Sequence, residues 1–141
     1  MKIAIGSDHG GFDLKEKMKE HLTQAGHEVM DLGCHEKASC DYPVFGRAVA
    51  EAVAKREADR GIVICTTGIG ISIAANKVPG IRAALCTDPL MARLTREHND
   101  ANVLALGAAI VGDMLAFEMA DVFLSTEFSG GERHVRRVGM L

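Results

Sequence analysis

The apolar run Ile62-Val63-Ile64 ends on Cys65 and passes directly into Thr66-Thr67-Gly68-Ile69-Gly70. A cysteine that closes a buried strand is most often a small core hydrophobe. The turn after it alters that reading. Glycines at 68 and 70 let backbone N–H groups converge at a helix start, which makes an anion site and favours the thiolate of a nearby cysteine. Such a thiol can serve as a base or as a nucleophile. Phosphatase-type nucleophilic chemistry needs an arginine a few residues after the cysteine, and the next one is Arg82. A nucleotide P-loop needs GxxxxGK[ST], which does not occur, and GIGISI lacks the third glycine of a dinucleotide fingerprint. What remains is a base beside an oxyanion hole. No carboxylate lies between Asp59 and Asp88, so proton abstraction by this loop would fall to Cys65, with the Thr67 hydroxyl as a relay. Backbone N–H groups would stabilise the enediolate, and proton transfer next to a carbonyl is the matching reaction class.

Other groupings also follow apolar runs. Ser7-Asp8-His9 stands after the first, Thr87-Asp88 after the fourth and Gly107 after the fifth. Asp8 reads either as the N-cap of the first helix or as a site carboxylate. His98-Asn99, in EHNDANV, reads as a helix C-cap or as part of a site. Arg133, His134, Arg136 and Arg137 make the C-terminal segment basic. That segment reads as a solvated terminus or as an arm that docks elsewhere and brings cations to an anion. Cys34-His35 with Cys40 is too sparse for a structural zinc site, which needs paired ligands.

The elements that must position these residues alternate regularly. KIAIGSD (2 to 8) reads as a strand, and Leu14, Met18, Leu22 and Ala25 then lie on one face of a helix closed by Gly26. A weaker strand, EVMDLG (28 to 33), precedes a polar loop. Pro43 then starts a helix with Phe45, Ala48, Val49, Ala52 and Val53 on one face. Further on come a strand at 61–65, a helix from about 70 to 77, a strand at 81–87, a helix opened by Asp88-Pro89 and a strand at 102–107. The last helix, 113–124, is apolar nearly all round, which predicts burial on two sides. Five βα units predict a single-domain, three-layer α/β fold with a five-stranded parallel sheet and helices on both faces. Ligands in such sheets bind beyond the carboxyl ends of the strands.

The 141 residues suit one domain, and 48% hydrophobic content supports one core. A net charge of −3 offers no global field for nucleic acid or an anionic membrane. No apolar stretch is long enough to span a bilayer, and MKIAIGSD turns polar too early for a signal peptide, so a cytoplasmic protein is expected. The four cysteines are then expected as free thiols.

Taken together, GSDHGGFDLK, DYP, GIVICTTGIGISIAANK, GIRAALC, REHNDANVLALG and GGERHVRRV resemble the ribose 5-phosphate isomerase B family across the whole chain. That family includes sugar 6-phosphate isomerases. The resemblance implies an aldose–ketose isomerase that uses neither metal nor cofactor. The fold would be Rossmann-like and the substrate a small phosphorylated sugar. A homodimer or dimer of dimers would share active sites between subunits, with the arm at about 129–141 packing on the partner.

By the same resemblance Cys65 shuttles the proton between C1 and C2, with Thr67 as its hydroxyl partner. N–H groups of Thr66, Gly68, Ile69 and Gly70 form the anion hole. His98 opens the furanose ring, Asp8 polarises the sugar oxygens, and Tyr42 and Asn99 line the site. His9, Arg133 and Arg137 hold the phosphate, with His98, Asn99 and both arginines reaching in from the neighbouring subunit. The expected reaction interconverts ribose 5-phosphate and ribulose 5-phosphate, in the non-oxidative pentose phosphate route. A six-carbon 6-phosphate, allose or galactose, is the alternative, and a binding module without activity the third reading. The family usually has glycine where this chain has Thr66. A threonine there would be strained if the position required φ > 0.

Overall fold

The computed structural model describes residues 1–141. Five parallel strands, β1 (Lys2–Ser7), β2 (Glu28–Asp31), β3 (Arg60–Cys65), β4 (Ala83–Leu85) and β5 (Val103–Gly107), form one sheet in the order β2-β1-β3-β5-β4. Six α-helices accompany them: α1 (Phe12–Gln24), α2 (Tyr42–Ala54), α3 (Ile69–Asn76), α4 (Pro89–Asn99), α5 (Asp113–Ser125) and α6 (Glu132–Val138). The three central strands are covered on both faces, which is why they read as continuous apolar runs. Alternation still separates their faces. Ile3, Ile5, Ile62, Ile64, Leu104 and Leu106 pack with Leu14, Met18, Leu22, Met119 and Phe123 on the side of α1 and α5. Ala4, Val63, Cys65, Val103 and Ala105 pack with Val49, Val53, Ile71 and Ala75 on the side of α2 and α3. Smaller side chains on this second face let α2 and α3 lie close to the sheet. No helix is long and apolar enough to cross a membrane, and all four cysteines are free thiols.

Helix starts follow their local chemistry. The Asp88 carboxylate accepts from Met91 N–H at 2.9 Å, and Pro89 follows where its missing N–H costs nothing. Pro43 sits likewise in the first turn of α2.

Three elements differ from the sequence expectation. Strand β4 is shorter than 81–87, because side-chain amides replace the ladder around it. Asn102 Oδ1 accepts from Arg82 N–H at 2.9 Å, and Asn76 clamps Ala83 by two bonds of 2.8 and 2.9 Å. Helix α5 is buried on one face only, through Ala116, Met119, Ala120, Phe123 and Leu124, while Met114 is 86% exposed. No layer of this chain covers its outer side. The basic C-terminal segment is a short helix, α6, lying against α4.

Two cationic side chains are buried. Lys15 Nζ reaches both carboxylate oxygens of Asp31 at 2.8 Å and Glu16 at 3.0 Å. Arg96 bonds Asp100 at 2.8 Å, Thr126 O at 3.0 Å and Ala101 O, over the ring of Phe123. Burial alone would raise the Asp31 pKa, but hydrogen bonds from Lys15, Lys19 and Gly33 N–H outweigh it and hold it at about 2. A carboxylate depressed in the folded state contributes stability above its unfolded pKa and loses it as pH falls toward its folded one. Asp31→Asn is therefore expected to destabilise by about 2 kcal/mol at neutral pH. The gap to wild type should close between about pH 4 and pH 2 in urea unfolding. A gap independent of pH would remove the ion pair from the stability of the fold.

Candidate active site

Strands β1, β3 and β5 end side by side, with Ser7 level with Ile64 and Cys65 level with Gly107. Their loops are tied by backbone bonds. Asp8 N–H donates to Ile64 O at 3.2 Å, Ala108 N–H to Cys65 O at 2.9 Å and Ala109 N–H to Thr66 O at 2.9 Å. The chain then turns through Gly68, whose φ of 77° is left-handed and favours glycine. A Cβ there would also lie 2.7 Å from the Leu106 carbonyl carbon and 2.9 Å from Gly107 N. Because Gly68 is the left-handed residue and Thr66 is not, threonine at 66 carries no backbone strain.

This turn aims polar groups at the sulfur. Gly68 N–H donates to Cys65 Sγ at 3.1 Å, and Ile69 N–H donates to Thr67 Oγ1 at 3.2 Å. Cys65 is buried at 4% exposure, while Thr66, Thr67 and Ile69 face solvent. The Tyr42 ring, at the start of α2, lies so close over Gly70 that any side chain at 70 would overlap it. Tyr42 therefore lies against Gly70, on the loop that carries Cys65 and Thr67.

From the other side comes the turn His9–Gly11, a single 3-10 turn. Asp8 is 5% exposed and caps it, one carboxylate oxygen accepting from Gly11 N–H at 3.1 Å. Asp8 is thus a cap, as one sequence reading had it, of this turn rather than of α1 itself. His9 Nδ1 accepts from Cys40 N–H at 3.2 Å, which places the ring proton on Nε2, the free edge of an exposed imidazole. Burial pushes the Cys40 thiol above its ordinary range, with the Cys34 thiol and the Asp8 carboxylate adding to it.

His98, Asn99, Arg133 and Arg137 lie elsewhere. Helix α4 runs back along the sheet and ends at Asn99, just before β5 begins at Val103, whereas Cys65 is level with Gly107 at the far end of that strand. The length of β5, about 13 Å, separates the two edges. Within one chain these residues do not join Cys65. His98, Arg133 and Arg137 gather instead around His134, whose ring stacks on that of His98 at 4.5 Å and 9°. Partial burial, then the charges of Arg133, His98 and Arg137, hold His134 below its ordinary range. Ser129 N–H, bonded to Glu97 O at 3.2 Å, fastens this segment to α4. His134 was not separable from its basic neighbours in the sequence, since only the packing of α6 on α4 distinguishes it.

No group of three or more His, Cys, Asp or Glu is placed to hold a metal ion. The largest surface depression runs along α1 past Glu16, Lys19 and Glu20, away from all of these groups and lined mainly by solvated side chains.

Comparison with known proteins gives the chain its relatives. The model of the family described as Ribose/Galactose Isomerase matches residues 3–141. Ribose-5-phosphate isomerase B of Escherichia coli is 51% identical, covering 97% of this chain and 91% of its own. Galactose-6-phosphate isomerase subunit LacB of Clostridium acetobutylicum is 48% identical, covering 91% and 74%. The structure of Clostridium thermocellum ribose-5-phosphate isomerase B superposes with a TM-score of 0.98 at 61% identity, covering 99% and 94%. With the family model matching residues 3–141 and relatives at 51% and 61% identity covering 97% and 99% of it, the chain belongs to the ribose/galactose isomerase family.

Proposed function

We propose that this sugar-phosphate isomerase interconverts ribose 5-phosphate and ribulose 5-phosphate, with Cys65 as the base. The observation that carries the reading is the thiol held against the Gly68 N–H at the start of α3, beside the Thr67 hydroxyl. Cys65 takes the proton from C2 of the open-chain aldose, and the electron pair moves into a C1–C2 double bond, leaving an enediolate. N–H groups from Thr66 to Gly70 stabilise its oxygen, the C2 hydroxyl passes its proton to O1 by way of the Thr67 hydroxyl, and the carbon-bound proton returns at C1 to give the ketose. Because Thr67 Oγ1 already accepts from Ile69 N–H, its own hydrogen is free to serve a sugar oxygen. Asp8 has one carboxylate oxygen engaged by Gly11 and one left for sugar hydroxyls. Tyr42 walls the site. The reaction is an internal redox exchange, and this reading invokes neither metal nor cofactor.

His98, Asn99, Arg133 and Arg137 enter this scheme from a second copy of the chain. Their placement at the opposite edge of the sheet supports a homodimer, alone or paired as a dimer of dimers, in which one subunit supplies base and anion hole. The other supplies His98, which passes a proton from the anomeric hydroxyl to the ring oxygen to open the furanose. Asn99 lines the pocket, and Arg133 and Arg137 join His9 on the phosphate. The residues 129–141 would then meet the partner, in the cytoplasm where free thiols persist. A six-carbon 6-phosphate is the second reading, favoured by the galactose-6-phosphate relative.

Three measurements check this. Cys65→Ala should lower kcat by at least about a hundredfold with little change in KM; near-normal kcat would remove the thiol from the mechanism. Arg137→Ala should raise KM for the sugar phosphate about tenfold or more by loss of a charge-assisted contact, with kcat less affected. Unfolding and refolding an equal mixture of Cys65→Ala and His98→Ala subunits should recover about a quarter of wild-type activity, since mixed dimers hold one intact site. No recovery would place each site within one subunit.

A further inference from the structure

We propose that the Thr66 side chain measures the length of the sugar phosphate, admitting a five-carbon chain and excluding a sixth carbon, by closing the gap between the Cys65 loop and the Asp8–Gly11 turn. The inference rests on the isomerase reading above and concerns its substrate.

Thr66 is held rigidly. Its own carbonyl and that of Cys65 are tied to Ala109 and Ala108 N–H at 2.9 Å, and its β-branched side chain has few rotamers available. The side chain leans on the opposite turn. A methyl group on Gly10 would run into the Thr66 hydroxyl, and would lie 3.3 Å from both Asp8 Oδ1 and Thr66 N. The Thr66 hydroxyl, the Gly10 α-carbon and the Asp8 carboxylate therefore meet at one point. Thr67 has its Oγ1 engaged by Ile69 N–H, whereas Thr66 stands exposed with its side chain directed across the gap.

This point lies on the path the substrate must follow. Proton transfer between C1 and C2 takes place at Cys65, and the phosphate end belongs at His9. Thr66 adjoins Cys65 in the chain and Gly10 adjoins His9, so their contact spans the shortest route between the two ends. Threonine adds two carbons and an oxygen to the glycine it replaces. One further CHOH group lengthens a sugar by about 1.5 Å and needs one carbon and one oxygen of space. The space a sixth carbon would need is occupied by this side chain. Exclusion of one such group by a fitted wall is worth roughly 10- to 200-fold in kcat/KM.

The test compares kcat/KM on ribose 5-phosphate and allose 6-phosphate for wild type, Thr66→Gly, Thr66→Ser and the double variant Gly10→Ala with Thr66→Gly. Wild type should favour the five-carbon sugar. Thr66→Gly should raise the six- to five-carbon ratio at least about tenfold. Thr66→Ser keeps the hydroxyl against Gly10 and should raise it less. In the double variant the methyl group introduced by Gly10→Ala fills the vacated space from the other side, so the ratio should fall back toward wild type. An equal loss on both sugars, a ratio unchanged in Thr66→Gly, or no reversal in the double variant overturns the proposal, as does a wild type that prefers the six-carbon sugar. The serine variant carries the comparison if the glycine variant fails to fold: an unchanged ratio there, with Thr66→Ala unchanged too, also overturns it. A wild type inactive on both sugars would defeat the isomerase reading itself, an outcome distinct from failure of the Thr66 variants alone.

Discussion

Backbone lies against backbone where β3 hands over to α3. Gly68, in a left-handed conformation, sits on the Leu106–Gly107 peptide, and the carbonyls of Cys65 and Thr66 are both taken by N–H groups from the loop after β5. Every other feature of the site depends on this contact. It turns the Gly68 N–H back on the Cys65 sulfur, and it sets the height of Gly70 so that the Tyr42 ring can lie over it. It also presents the Thr66 side chain to Gly10. A loop tied only at its ends would leave these donors to reorganise during proton transfer, at a cost that preorganised dipoles avoid.

The buried charges extend this order outward. Asp31, held ionised by Lys15 and Lys19, accepts from Gly33 N–H at 3.0 Å, and Gly33 O accepts in turn from Ser7 N–H at 2.7 Å. The ion pair thereby aligns the exit of β2 with the last residue of β1, immediately before Asp8. Arg96 has a similar place at the other edge. Its bonds to Asp100, Ala101 O and Thr126 O join the end of α4 to the segment leading into α6, and so fix where His98 and Asn99 stand. Buried ion pairs of this kind are costly to desolvate and add little net stability over apolar packing. Removing one partner is nevertheless destabilising because it strands the other charge, and the pairs also fix position.

How much of this was legible depends on how local the cause is. The runs of β1, β3 and β5 declare strands buried on both faces, and Asp88-Pro89 declares a helix start. Cys65, Thr67, Gly68 and Gly70 could be read together because one turn holds them. The edges of the sheet were less legible, since Asn76 and Asn102 end β4 through bonds to residues 7 and 20 positions away in the chain. The burial of Lys15 and Arg96 was hidden because a charge in a helix pattern normally marks the solvent side. Tyr42 on Gly70 and Thr66 on Gly10 depend on the lateral spacing of loops, which no local pattern carries. The worry over strain at Thr66 had a reasonable premise and the wrong position, because the left-handed turn falls two residues later.

The placement of the cations follows from the topology itself. In a right-handed parallel fold each helix returns to the amino edge of the sheet, so a residue at the end of α4 stands as far from Cys65 as the strand is long. A chain that uses both must join them between copies, and the two halves then take different physical tasks. Proton transfer needs donors fixed to within a fraction of an ångström, which the tied loops at the carboxyl edge provide. Phosphate needs charge more than fine placement, and exposed arginines on a short surface helix can supply it after the sugar has entered. On the proposed reading, chain length is measured best on the rigid side, where Thr66 stands between Cys65 and the turn that carries His9.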